Sequence, residues 1–292
     1  MEKTKILIIL VLIIVAFGAG VYFKDDAVKL YSSFYERVEE LKEADIGQII
    51  SEVKKQVFMP DPLNMGGAEK QVTLLQSKII SETNMQRLAN GNLPALKENV
   101  ELNKAAAVKA NDMFLNQYFE HVSLTGVDPG KLVQNSGYDY IIAGENLILG
   151  NFSSEKEVVQ DWMDSPGHRA NIMNTRYTEI GVAVIKGTYK GGTVWIGVQE
   201  FGLPLSSCAQ PDTASKDKIN TVRTELDTLA LQIDEKKNEL EKINSNSAVY
   251  RQMVDDYNQL VVQYNSLAEQ VKNLIANYNG QVNAFNNCVA GQ

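Results

Sequence analysis

An unbroken hydrophobic run opens the chain. Residues 6–23 are eighteen uncharged, mostly apolar residues, preceded by Lys3 and Lys5. A helix of this length spans roughly 27 Å, close to the hydrocarbon thickness of a bilayer. The run is longer than the apolar core of a signal peptide, which usually has about 7–15 residues. Residues 1–23 are therefore predicted to be a single-pass transmembrane anchor, with a cleaved signal peptide as the alternative. The bulk of the chain is then extracytoplasmic at the cell membrane, or secreted if cleavage occurs.

Helical periodicity continues beyond this run. Apolar positions recur at alternating steps of four and three residues, at Ala27, Tyr31, Phe34, Val38 and Leu41. This spacing predicts a stalk helix that continues to about residue 59. Residues 60–70 (PDPLNMGGAEK) contain two prolines and a Gly-Gly pair, which indicate a linker. Residues 24–71 are therefore predicted to be a stalk helix and linker.

Two heptad-like runs end the chain. The first extends over residues 219–243 and the second over residues 250–278, and both space apolar residues at steps of three and four. Residues 244–247 (NSNS) shift the phase and supply turn residues. The pattern predicts an antiparallel coiled-coil hairpin within residues 205–292, although a stutter in one continuous rod would give the same pattern. Val261 and Ile275, beside the second seam, widen its apolar face, which a protein partner or packing on residues 72–204 would explain equally well.

The chain has only two cysteines, Cys208 and Cys288. Cys208 precedes the first predicted helix of the hairpin and Cys288 follows the second, so a hairpin would bring both to its base. Export to an oxidising compartment allows such a bridge to persist. We therefore predict a Cys208–Cys288 disulfide. Two cysteines are too few for a cysteine-cluster zinc site or a Cys-X-X-Cys redox motif at these positions.

The segment between these ends mixes helical and strand patterns. Helical stretches are predicted in residues 72–91 and 100–118, and Ser154 with Glu157 has the form of a capping box. Residues 180–185 and 194–201 alternate like strands on either side of a Lys-Gly-Gly turn. Helices flanking a small antiparallel sheet predict an α+β fold in three layers for residues 72–204.

Charge and histidine content narrow the candidate chemistry. The net charge is −8 and the isoelectric point about 5.0. An acidic chain without a basic block lacks the electrostatic footprint of a nucleic-acid-binding protein. Only two histidines occur, His121 and His168, and both lie in residues 72–204. Any chemistry that uses imidazole must use one or both of them.

Five motifs occur in order in this middle segment. They are FEHVS (119–123), GENL (144–147), WMDSPGHRANIM (162–173), EIGVAV (179–184) and VWIGVQEFG (194–202). Together they resemble the CAP superfamily, which groups the cysteine-rich secretory, antigen-5 and pathogenesis-related-1 proteins. The SPGHR stretch is similar to the prokaryotic, SCP-like extracellular branch. The anchor, the stalk and the C-terminal hairpin have no counterpart in this resemblance.

The resemblance implies an α-β-α sandwich with a cleft of two His and two Glu that holds a divalent metal in some members. His121, Glu145 and His168 match three of these positions. The second Glu has no clear counterpart, and Asp164 and Glu179 are its tentative substitutes. Zinc is the expected metal, since three or four His, Cys or carboxylate groups are its usual ligands.

Three functions follow from this reading. The resemblance favours a recognition module whose His/Glu cleft binds a lipid, a glycan or another cell-envelope component. The first alternative is a metal-dependent hydrolase in which His121, Glu145 and His168 hold an ion that activates water. The second alternative is a scaffold that binds a protein partner through the C-terminal coiled coil.

Overall fold

The computed structural model describes residues 46–47, 55–244 and 247–291. The predicted anchor and most of the predicted stalk lie outside these ranges. Within the ranges described, no helix is long and apolar enough to cross a bilayer. The chain divides into two compact units, here called the sheet unit (Gln48–Gln210 with Asn283–Gln292) and the helical unit (Met1–Gly47 with Pro211–Val282).

A mixed sheet forms the centre of the sheet unit. Its strands in the described residues are β1 (Gln56–Phe58), β2 (Leu63–Gly66), β3 (Lys97–Glu98), β4 (Tyr140–Gly150), β5 (Glu179–Tyr189) and β6 (Gly192–Pro204). The spatial order is β1-β4-β6-β5-β3, and β2 pairs with the same edge of β4 as β1. The three long strands β4, β6 and β5 are antiparallel neighbours. Every residue of β4 is buried, because both of its faces are covered.

Helices cover both faces of this sheet. They are α1 (Gln76–Gly91), α2 (Val100–Asn116), α3 (Pro129–Asn135), α4 (Glu155–Asp164) and α5 (Pro166–Ile172). On one face, α1, α4 and α5 pack against alternate strand residues such as Ile148 and Val182. On the other face, α2 packs against the intervening residues, among them Leu147 and Val198. The result is a mixed α/β unit in three layers.

Local sequence signals explain several element boundaries. Ser154 accepts a hydrogen bond from the Glu157 N–H and so caps α4, as predicted. The predicted hairpin joins β5 to β6 through Lys190 and Gly191, whose φ angles are 47° and 84°. Two successive positive φ values fit the tight turn that matches strand twist, and glycine adopts such values without steric cost.

Residues 55–66 differ from the sequence prediction. The helical stalk was expected to continue to about residue 59, with a linker from residue 60, but the structure has β1 and β2 there. Both strands pair in parallel with β4, at Gln56↔Ile142 and at Leu63↔Ile148. The prolines that indicated a linker lie between the two strands. Edge pairing with a strand that follows about 80 residues later leaves no periodic signal in so short a segment.

The helical unit contains α6 (Thr213–Leu240) and most of α7 (Ala248–Ala290). The two helices share an apolar cluster, and the Asp212 N–H before α6 donates to the side chain of Gln281 late in α7, so they run in opposite directions. The cluster includes Val261 and Ile275, which are buried within the pair itself. The predicted seam residues Leu260 and Leu274 are only partly buried beside it.

The predicted disulfide is confirmed. Cys208 and Cys288 are bonded with an S–S distance of 1.98 Å and a Cα–Cα distance of 5.8 Å. Both cysteines belong to the sheet unit, where they join an apolar cluster that also contains Phe285 and Val289 of the last turns of α7. The bond therefore fixes the end of α7 to the segment that follows β6.

Candidate functional site

His121 and Glu145 meet directly in the structure. His121 lies in the loop after α2, and its Nδ1 is 2.6 Å from Glu145 Oε1. Glu145 lies on β4, on the face that α2 covers, and its side chain is fully buried. Two of the three residues that the motifs predicted are therefore brought together by the packing of α2 and its following loop on the sheet.

The second ring nitrogen of His121 is also engaged. Its Nε2 lies 2.5 Å from the carbonyl oxygen of Pro60, which precedes β2. A carbonyl oxygen only accepts, so Nε2 carries a proton and donates. Both nitrogens of the ring thus have partners, one on the sheet and one on the segment between β1 and β2.

Glu200 is a further acidic residue of the site that sequence reasoning missed. It lies on β6 directly opposite Glu145, with which it is paired in register, and its side chain points to the same face. Glu200 is fully buried. Its position could have been inferred from the alternation in VWIGVQEFG, where Ile196, Val198 and Glu200 share the inward parity.

The Glu145–Glu200 pair brings two carboxyl groups together without an intervening donor. Burial raises the pKa of Glu200 well above its ordinary value, and the adjacent Glu145 carboxylate raises it further. Among the described residues, both oxygens of Glu200 and Oε2 of Glu145 have no hydrogen-bond partner. A proton held by Glu200 supplies the missing donor for this pair.

Lys109 of α2 places a cation beside these carboxyl groups. It is almost fully buried, and its Nζ donates to the main-chain oxygen of His121 at 2.6 Å. Burial lowers the pKa of Lys109, while Glu145 and Glu200 oppose that effect. The lysine therefore fixes the His121 loop on α2 and offsets part of the acidic charge. No sequence motif marks it, because a lone lysine in a helix is normally exposed.

His168 lies on α5, against the opposite face of the sheet from Glu145. Its side chain is buried, and its Nδ1 lies 2.8 Å from the Ser165 hydroxyl. Ser165 is the N-cap residue of α5, but its hydroxyl contacts this ring and makes no cap hydrogen bond. Burial and the nearby His121 lower the pKa of His168 to about 4, so the ring is neutral at neutral pH.

A buried amide network joins α5 to the sheet. Asn146 follows Glu145 on β4 and donates to the main-chain oxygen of His168 at 3.1 Å. Asn171 of α5 donates to the Asn146 side chain at 2.9 Å and to the main-chain oxygen of Phe58 in β1 at 3.2 Å. These contacts hold α5, β4 and β1 in one arrangement.

The two tentative acidic residues lie elsewhere. Asp164 is exposed at the end of α4, where it accepts from the Gln160 side chain at 2.8 Å. Glu179 begins β5 and accepts from the Tyr138 hydroxyl at 2.8 Å. Neither carboxylate bonds to His121 or His168 in the hydrogen bonds of the described residues.

The donor set does not fit a zinc ion. In the part of the chain that the structure describes, no group of three or more His, Cys, Asp and Glu side chains is placed to hold a metal. Both ring nitrogens of His121 and the Nδ1 of His168 already have partners. A zinc site needs three or four such groups around one point.

Comparison with known proteins supports the motif-based reading of this segment. Residues 80–201 match the family described as CAP: Cysteine-rich secretory protein family. The uncharacterized protein YkwD of Bacillus subtilis (strain 168) is 38% identical over 134 residues, which are 46% of this chain and 49% of that protein. The uncharacterized membrane protein YlbC of the same strain is 31% identical over 117 residues, which are 40% of this chain and 33% of that protein. The chain thus spans half or less of each relative.

Solved structures match a similar share of this chain, 44% in each of two cases. An outer surface protein of Borrelia burgdorferi is 26% identical, and the match covers 44% of this chain and 91% of that chain with a TM-score of 0.38. An extracellular protein containing an SCP domain from Bacillus anthracis str. Ames is 31% identical, with 44% and 39% covered and a TM-score of 0.37. At these TM-scores the structures carry no argument about the fold or the site.

Proposed function

From the match of residues 80–201 to the CAP family, we propose that this chain is an exported, membrane-anchored recognition protein that binds a component of the cell envelope. The binding site proposed is the region around His121, Glu145, His168 and Asn171, here called the cleft. The apolar run of residues 6–23 and the Cys208–Cys288 disulfide support export. The relative YlbC, which is named as a membrane protein, supports membrane association. A lipid, a glycan and a peptide are the ligand classes to be distinguished.

One observation carries the proposal of recognition. The His121 Nε2–H, the most accessible donor of the predicted site, is directed at a main-chain carbonyl of the Pro60 segment. A donor in this position can hold a carbonyl oxygen of a ligand by a hydrogen bond, with no chemical reaction. A general base works best when its pKa lies near the operating pH, and burial lowers the pKa of His168 to about 4, which disfavours His168 in that role.

Thermal unfolding of the full chain in detergent tests the proposal. The probes are dihexanoyl phosphatidylglycerol, a muramyl disaccharide peptide and a twelve-residue extended peptide. A probe at a hundred times its Kd stabilises the folded state by about 2.7 kcal/mol. For a unit of this size that raises Tm by about 5–10 °C. We expect one probe class to give such a shift.

A pair of asparagine variants makes the measurement specific to the cleft. Asn171→Ala removes a buried donor of the cleft, whereas Asn111→Ala changes an exposed asparagine on α2. The probe-induced shift should fall strongly in the first variant and persist in the second. A probe-induced shift that is the same in both variants would contradict recognition by this cleft.

A further inference from the structure

A twelve-residue strap, Lys55–Gly66, crosses the cleft. Its two ends are β1 and β2, which pair with residues 142–144 and 148–150 of β4. Between them, residues 59–62 (MPDP) pass the middle of β4 without pairing, next to Glu145 and His121. The strap lies outside residues 80–201, the part that matches the CAP family.

Two cleft side chains hold the main chain of the strap. His121 Nε2 donates to the Pro60 oxygen at 2.5 Å, and Asn171 Nδ2 donates to the Phe58 oxygen at 3.2 Å. Every peptide has such carbonyl groups at regular spacing. These contacts therefore recognise an extended backbone and do not depend on the strap's own side chains.

Pro60 makes a close side-chain fit next to the two main-chain contacts. A Cβ added at Gly167 of α5 would lie only 2.7 Å from the Pro60 Cβ, so the proline ring rests where glycine leaves room. Proline also lacks an N–H, which suits a position without a strand partner. In contrast, Phe58, Met59 and Met65 are each 43–46% exposed. Backbone contacts, the proline ring and the partly buried Val57 thus hold the strap across the cleft.

We propose that the cleft is a groove for an extended, proline-containing peptide and that the strap is its occupant within the same chain. The proposal rests on the recognition function above and specifies its ligand class. Adding an extended segment to a sheet edge is an established mode of peptide recognition, in which main-chain hydrogen bonds give affinity and pockets give specificity. A tethered occupant has an effective concentration in the millimolar range, so a free peptide binds well only when the strap is weakened.

The test weakens the strap in the full chain and leaves the groove intact. Val57→Asn/Pro60→Gly removes the partly buried valine of β1 and the ring that rests on Gly167. Met59→Ser changes a neighbouring exposed residue and serves as the matched control. The probe is a fluorescent peptide with the sequence of residues 55–66, KQVFMPDPLNMG, and its binding is measured by fluorescence anisotropy. Hydrogen exchange of the amides of residues 56–66 reports release of the strap.

We expect faster exchange of the strap amides and at least tenfold tighter peptide binding in Val57→Asn/Pro60→Gly than in the wild-type chain. Met59→Ser should behave like the wild type. A probe with glycine in place of Pro60 should bind the strap-weakened chain at least tenfold more weakly. Adding Gly167→Ala to that chain should abolish binding of the original probe, because the new Cβ occupies the space of the proline ring.

Two results would overturn the proposal. One is hydrogen exchange of the strap amides that is as slow in Val57→Asn/Pro60→Gly as in the wild type. The other is faster exchange of these amides without tighter binding of the peptide. If a lipid or glycan probe shifts Tm while the peptide fails in the weakened chain, recognition stands and only the peptide assignment falls. If every probe fails in both experiments, the recognition function falls as well.

Discussion

Glu200 allows the electrostatics of the cleft to be tested with a single substitution. Glu200→Gln keeps the size of the side chain and replaces the carboxyl group by a neutral amide. The wild-type side chain is fully buried beside Glu145, and both effects raise the pKa of Glu200 well above its ordinary value of 4.5. Glu200 therefore keeps its proton in the folded state at pH values where the unfolded chain has lost it.

The sign and size of the effect follow from linkage. Below pH 4.5 both states carry the proton, and the raised pKa has no influence on stability. Above that pH folding must take up a proton, so the free energy of unfolding of the wild type falls by about 1.4 kcal/mol per pH unit until the pH reaches the folded pKa of Glu200. Glutamine has no such penalty. The stability of Glu200→Gln relative to the wild type should thus rise with pH above 4.5, by up to about 1.4 kcal/mol per pH unit, until the folded pKa of Glu200 is reached.

Urea unfolding followed by tryptophan fluorescence measures this difference. Trp162 and Trp195 are the only tryptophans, and both are buried in the sheet unit, so the signal reports on the unit that contains Glu200. Glu120→Gln, at an exposed position next to His121, controls for the loss of one carboxylate. A difference between Glu200→Gln and the wild type that stays constant between pH 5 and pH 6 would refute the assignment of a proton to buried Glu200.

Two further predictions concern stability. Cys208→Ala/Cys288→Ala should lower the free energy of unfolding of the sheet unit by up to about 4.5 kcal/mol, because the sequence separation is 80 residues; a loss below about 1 kcal/mol in the same urea assay would contradict the stabilising role. Leu226→Ala in the core of the helical unit should cost about 2–5 kcal/mol by circular dichroism. Leu231→Ala, at a position 72% exposed on the same helix, should be nearly neutral, and equal losses would contradict the described packing.

Much of the fold could be predicted because its signals are local. The helices and the β5–β6 hairpin follow from periodicity, caps and turn residues within a few positions of each other. The Cys208–Cys288 pairing followed from the hairpin geometry that the heptads indicate. The meeting of His121 and Glu145 was predicted through motifs, since their resemblance to the CAP superfamily supplies the tertiary context that single residues lack.

The sequence by itself determined the main helices, the β5–β6 hairpin and which two cysteines pair. Only the tertiary structure placed Glu200 opposite Glu145, since a strand pattern gives a residue's face but leaves its partner strand and register open. It likewise decided that Lys55–Gly66 is a strap on β4, where the prolines had indicated a linker. The pairing of so short a segment depends on the unfilled edge of a strand that follows about 80 residues later, and its own residues do not encode that edge.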